Sequence, residues 1–249
     1  MNTATSLIPT LIGVGILVAV ATAALLLFRV HAAWSPAAAI ARGVIQLAAI
    51  SLILGGIITN PLWIALALLV MLTVAVSVAT RRIGWGGRSA LVMSTSIAAG
   101  IAVAATTVFA TGALEPTPRY ALAIGAIIIG NTMNIATLTG RLFAASVADH
   151  WDEVEGWLAL GATPRQSTLD LARRAVREAL IPSVDQTKTT GLVVLPGAFV
   201  GAIFGGLSPL EAGRFQIIVL AAIMAAGSVC AVLVALWQGA VATRVNAPA

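Results

Sequence analysis

The sequence predicts an all-α integral membrane protein with about seven transmembrane helices, its N-terminus outside and its C-terminus cytoplasmic. Three observations lead there. Of 249 residues, 59% are hydrophobic and only 9% charged, and the mean hydropathy is +1.02. A soluble domain carries about 25% charged residues, so a globule of this length could not bury this much apolar surface, whereas a bilayer can. The apolar residues also fall into separate runs of bilayer length, and the arginines cluster in alternate gaps between those runs.

A span needs about 20 apolar residues, and seven stretches come near that length: 7–28, 37–58, 62–80, 89–111, 120–139, 189–207 and 215–237. Residues 1–10 hold no Lys or Arg, so the first stretch lacks a basic leader and is expected to remain as a span. Turn and charge signals mark the gaps, such as Thr59-Asn60-Pro61 and the segment from Arg81 to Arg88. The second stretch holds Arg42 and Gln46, and the sixth holds Pro196 and several glycines. Trp34, Trp63, Trp85, Trp151 and Trp237 lie near span ends, where indole rings anchor at the interface or simply pack.

Charge sets the orientation. With seven spans and an outside N-terminus, Arg29, Arg81, Arg82, Arg88, Arg141, Arg165, Arg173, Arg174, Arg177, Lys188 and Arg244 fall inside. Only Arg119 and Arg214 fall outside, with Arg42 near the inner face of the second span. This follows the positive-inside rule, and the opposite orientation violates it. The net charge of +5 and the pI near 11.0 therefore report membrane topology rather than nucleic-acid binding.

The one long polar stretch, about 141–188, contains most of the nine acidic residues and is expected on the cytoplasmic side. It reads as two helices around a sharp turn. The first runs on from the fifth span to about Leu160, where Gly161 suits the C′ position. Thr163 then suits an N-cap, Pro164 the first helical position, and Gln166 completes a capping box. The second helix is expected to run to about Ile181 and stop at Pro182. Its apolar stripe is Leu169, Ala172, Val176 and Leu180; on the first helix Val154, Trp157 and Leu158 fall together. Such a hairpin either docks a cytoplasmic partner or lies on anionic lipid, held by its arginines.

At these residues the sequence resembles a known family. The stretch from Glu155 through Gly161 to Pro164 is similar to the "EAA" coupling loop of ABC permeases, in which a Glu precedes a Gly by about six positions. A longer match joins Leu160-Gly-Ala-Thr-Pro164, the basic helix with Arg173, Arg174 and Arg177, Gly191-Leu-Val-Val-Leu-Pro196-Gly197, and Ser208-Pro-Leu-Glu-Ala-Gly-Arg214-Phe-Gln216. With Arg42-Gly-Val-Ile-Gln46 and Gly130-Asn131-Thr-Met-Asn134, this order resembles the FetB/YbbM family of ABC permeases, over nearly the whole chain. After Leu-Pro-Gly, members tend to show Met-Met-x-Gly-Gln, where this chain has Ala198-Phe199-Val200-Gly201-Ala202.

The resemblance implies a single transmembrane permease domain over residues 1–249, paired as a homodimer in the cytoplasmic membrane and driven by a separate ABC ATPase. It implies metal export, with iron the foremost proposal, and ATP and Mg bound by the partner rather than by this chain. Glu155, Gly161, Ala162, Thr163 and Pro164 are then the ATPase-coupling residues.

The residues themselves agree on one point: no Walker A pattern exists, and the sole lysine, Lys188, follows Thr187 rather than Gly. No catalytic set stands out, His31 and His150 are isolated, and Cys230 is the single cysteine, so no cofactor is expected in this chain and any metal ligands stay unassigned. Polar residues in or near spans are candidates to line a translocation path: Arg42, Gln46, Asn131, Asn134, Gln186 and Gln216. For each amide the competing reading is an interhelical hydrogen bond. Pro196-Gly197 near the middle of the sixth stretch is either a helix break that lines the path or a packed kink. Gly201, Gly205 and Gly206 offer a small-residue face for a dimer contact. Outside this reading stand a secondary transporter and a non-transporting scaffold whose hairpin rests on lipid.

Overall fold

A computed structural model describes residues 3–57, 60–84, 86–241 and 243. Trp85 and Arg244, and the end of the second predicted stretch at Ile58, lie outside the described residues. The described chain is α-helical, without a β-strand, and it divides into two compact units, Met1–Thr59 and Asn60–Ala249.

The first unit is a pair of helices, α1 (Thr3–Leu27) and α2 (Ser35–Ile57), packed on each other. The connection turns sharply enough to put Arg29 and Ala32 at positive φ (55° and 59°). Arg42 and Gln46 are both exposed on α2, one turn apart on one face.

The second unit contains α3 (Pro61–Ile83), α4 (Gly87–Ala110), α5 (Pro118–Asp149), α6 (Trp151–Ala159), α7 (Pro164–Ser167), α8 (Leu169–Thr189), α9 (Gly197–Phe204) and α10 (Pro209–Gln238). α10 and α5 are its axis: α10 packs on α4, α5, α8 and α9, and α5 also meets α3. Helix starts follow the local chemistry. Asn60 and Thr117 cap α3 and α5 with Pro in the first turn, and Ser208 with Glu211 forms a capping box on α10.

Three layers of buried side chains stack along the axis. One joins Ile124 and Ile128 of α5 to Phe215 and Val219 of α10. A middle layer joins Ala79, Met93, Ala136 and Cys230. The third joins Phe143, Val147, Val154, Leu171 and Ala235. From Phe215 to Ala235 the rise is about 30 Å at 1.5 Å per residue, the thickness of a bilayer's hydrocarbon core. Backbones come close where glycine removes the side chain: a Cβ on Gly100 would strike the Ala226 carbonyl, and one on Gly227 would strike Ile135.

Five described helices are long and apolar enough to cross a membrane: α1 over Ile8–Leu27, α3, α4, α5 and α10. In α2 the apolar part within the described residues is the shorter Ser35–Ser51.

Three expectations are corrected. The sixth apolar stretch, 189–207, is not a continuous helix. α8 ends at Thr189, a turn with a Thr190–Val194 bridge follows, and α9 holds only 8 residues, about 12 Å. Pro196 is the N-cap of α9 and Gly197 its first residue, so the pair starts a helix rather than breaking one. Gly205 caps its end and Gly206 turns at φ 95°, so the three glycines form no continuous helix face. Pro182 does not stop the second helix of the hairpin; it sits inside α8, which runs seven residues beyond it. Finally, the first hairpin helix does not run unbroken from the fifth span to Leu160: α5 continues to Asp149, His150 interrupts it before α6, and Phe143 and Val147 near the end of α5 are buried against the hairpin.

Candidate functional site: the helical hairpin and the polar helix behind it

The hairpin is built at the end of α5. His150 breaks the helix, and α6 resumes at Trp151. Val154 is driven inward against Phe143, Val147 and Leu171, which fixes α6 to the end of the helical unit. α6 then closes with a Schellman turn: Ala162 N–H donates to the Trp157 carbonyl and Gly161 N–H to the Leu158 carbonyl, both at 3.0 Å. Gly161 takes φ 91°, a left-handed conformation costly for residues with a Cβ. The predicted capping box is present, with Gln166 N–H donating to Thr163 Oγ1 (3.3 Å) and Thr163 N–H to Gln166 Oε1 (2.9 Å).

Of the predicted coupling residues, Glu155, Gly161 and Thr163 are exposed and Ala162 and Pro164 half-buried, all on α6 or its turn. Beside them is a surface cavity of about 540 Å³ lined by Trp157, Leu160, Leu169, Glu153, Asp170 and Arg173. Leu160 is 81% exposed and Trp157 52%. These apolar side chains, rimmed by charge, are what sequence reasoning missed. Helical periodicity grouped Trp157 with Val154 and put Leu169 on the buried stripe. In the folded chain Leu169 is exposed, and α8 buries Leu171, Ala172, Ala175 and Ala179. The shift comes from Thr168. α7 ends there after one turn, and Thr168 Oγ1 donates to the Gly239 carbonyl at the end of α10 (2.7 Å). α8 therefore starts as a separate helix rather than as a continuation of α7.

The candidate path residues are divided between the two units. Arg42 and Gln46 belong to the first unit. On α5, Asn131 Nδ2 donates to the Ile127 carbonyl of its own helix (2.9 Å), while Asn134 is exposed. Gln216 on α10 is buried at 5% exposure, and its Oε1 has no hydrogen-bond partner. Gln186 is exposed on α8. Among the described residues no group of three or more His, Cys, Asp or Glu lies close enough to hold a metal ion. His150 instead places Nδ1 2.9 Å from the Ser146 carbonyl.

Long apolar helices stacked to bilayer thickness, with a polar hairpin at one end of the second unit, define a multi-pass all-α membrane protein. Within that class the chain belongs to the UPF0014 family: residues 8–240 match the profile described as Uncharacterised protein family (UPF0014). It is 40% identical to UPF0014 membrane protein STAR2 of Oryza sativa subsp. japonica, over 78% of this chain and 69% of that protein. It is 37% identical to Protein ALUMINUM SENSITIVE 3 of Arabidopsis thaliana, over 78% and 71%. It is 35% identical to the Probable iron export permease protein FetB of Escherichia coli, over 55% and 52%. No solved structure matches.

Proposed function

We propose that this chain is the membrane-spanning permease subunit of an ABC transporter, acting as a homodimer in the cytoplasmic membrane. Conformational energy reaches it through the α6–α7 hairpin from a separate ATPase that binds ATP and Mg. The observation that carries this reading is the hairpin surface. Trp157, Leu160 and Leu169 stand in water at the end of the second unit, ringed by Glu153, Asp170 and Arg173. Exposed apolar side chains with a charged rim mark a protein interface. Behind them, Val154 and Thr168 fasten the hairpin to α5, α8 and α10, so a push on it reaches the long helices. Export of a metal ion, iron foremost, is proposed from the name of the Escherichia coli relative.

The test is a pull-down of the tagged chain from detergent-solubilised membranes, repeated with residues 154–164 scrambled. An ATPase that co-purifies with the intact chain alone supports the reading. No ATPase under gentle conditions points instead to a secondary transporter or a scaffold whose hairpin lies on lipid.

A further inference from the structure

α8 is the least apolar long helix among the described residues, yet it lies along the apolar helices α5 and α10. Its start is pinned to the C-terminal end of α10 by the Thr168–Gly239 hydrogen bond. One turn on, Leu171, Ala172 and Ala175 share a buried layer with Ala235 of α10 and Phe143 and Val147 of α5. Further along, the Leu180 side chain lies beside Gly227, where an added Cβ would be 3.7 Å from it. Twelve residues along α8 thus match twelve back along α10, an antiparallel run of about 18 Å. After Thr189 the chain reaches the opposite end: Ala198 packs on the layer that holds Phe215, and Phe199 approaches Gly213. The segment 168–198 therefore covers the full bilayer-thick stack from one end to the other.

The opposite face of α8 is exposed and charged. Arg174, Arg177, Glu178, Asp185 and Lys188 fall on it at helical spacing, with Ile181 and Pro182 between. Among the described residues only Asp185 and Lys188 of these pair (3.3 Å). Pro182 has no N–H to give the Glu178 carbonyl one turn back, so a backbone acceptor opens on the same face near the middle of the helix. Charged side chains and an unpaired carbonyl at membrane depth cannot face lipid tails; they are tolerated where they meet water or protein.

We propose that α8 is the sixth membrane crossing and that its charged face lines a water-filled route closed by the α8 of a second copy. In a two-fold pair about the membrane normal, residues of equal depth meet. Arg177 of one copy then lies at the level of Glu178 of the other, and Asp185 near the level of Lys188, so the faces are complementary in charge. A route walled this way suits a hydrated, charged solute rather than a lipid. The proposal deepens the permease reading and rests on it for the word route, while the crossing itself is measured without any ATPase.

The test uses the full chain with Cys230→Ala and single cysteines at exposed positions, labelled by a membrane-impermeant thiol reagent in intact cells and in inverted vesicles. Arg165→Cys is expected to react only from the cytoplasmic face and Leu192→Cys only from the outside. Reaction of both from one side overturns the crossing. Along α8, Arg174→Cys, Glu178→Cys, Ile181→Cys and Asp185→Cys are expected to react at least tenfold faster than Ala175→Cys and Ala179→Cys. Equal, slow labelling at all six overturns the water-filled face. Ile181→Cys should also cross-link two copies with a short bifunctional reagent, and a cross-link-free result overturns the paired arrangement. Loss of ATPase co-purification with these labelling patterns intact would remove the permease reading and leave the crossing standing.

Discussion

At Gly161 the backbone decides the chemistry. An added Cβ would meet nothing within 4 Å, so the site is open, yet φ is 91°. A β-branched residue there costs about 1–2 kcal/mol through the left-handed backbone alone. Gly161→Val is expected to disorder the α6–α7 turn and to cut ATPase-driven transport several-fold, with the melting temperature of the helices unchanged. Gly161→Asn, which tolerates this conformation, should keep most of the activity. Equal loss in both would mean that volume, not conformation, matters at the turn. Thr168 is the second such residue. Thr168→Val keeps its shape but removes one of the two donors to the Gly239 carbonyl, leaving the Val241 N–H at 3.0 Å, a loss of about 0.5–1.5 kcal/mol. It should lower the melting temperature in detergent by a few degrees, and an unchanged melt would show that the bond contributes nothing. Gly161 and the Thr163–Gln166 box were legible in the sequence because caps are local and their residue types are few. The exposure of Leu169 was not, because periodicity does not show that α7 ends after one turn and that α8 then buries Leu171, Ala172 and Ala175.

Among the elements, the apolar helices and α8 answer to different forces. α4 and α10 approach where Gly100 faces the Ala226 carbonyl, so even a methyl group forces them apart. Gly100→Ala is expected to destabilise by about 1–3 kcal/mol, the usual cost of overpacking. Gly201→Ala, on α9 with nothing within 4 Å, should be neutral. Thermal melts of the two purified variants decide it, and equal stability would remove the close contact as a stabilising feature. Spacing alone favoured Gly201, Gly205 and Gly206 as the packing face, but close approach is a property of two helices at once. The same holds for the sixth stretch. Hydropathy over 189–207 counts side chains, whereas Gly191 at φ 86°, Pro196 as a cap and Gly206 at φ 95° cut the stretch into a turn, an eight-residue helix and another turn. α8 gave no span signal because its cores are alanines and its other face is charged.

For the molecule as a whole, the asymmetry of the arginines predicts an outside N-terminus, and an odd number of crossings would put the termini on opposite sides. A tag at the N-terminus should be cut by external protease in intact cells, and one at the C-terminus only after permeabilisation. Both tags on one side would overturn the odd count. With α8 in place of 189–207 as the proposed sixth crossing, Arg173, Arg174 and Arg177 enter the span and Lys188 moves to its outer end, while Arg29, Arg81, Arg82, Arg88, Arg141 and Arg165 keep the inside position that the positive-inside rule predicts.

What could be read from the chain alone was everything set by composition and near neighbours. Membrane residence follows from 59% hydrophobic residues, and the hairpin turn from Gly161 and the Thr163–Gln166 box. Tertiary structure decided the rest. Only packing shows that α8 lies along α5 and α10, that Pro182 sits within a helix, and that Trp157 and Leu160 face water. The reason is physical: transfer to a bilayer and helix capping act residue by residue or turn by turn, while a polar helix finds its place only when neighbouring helices cover one of its faces.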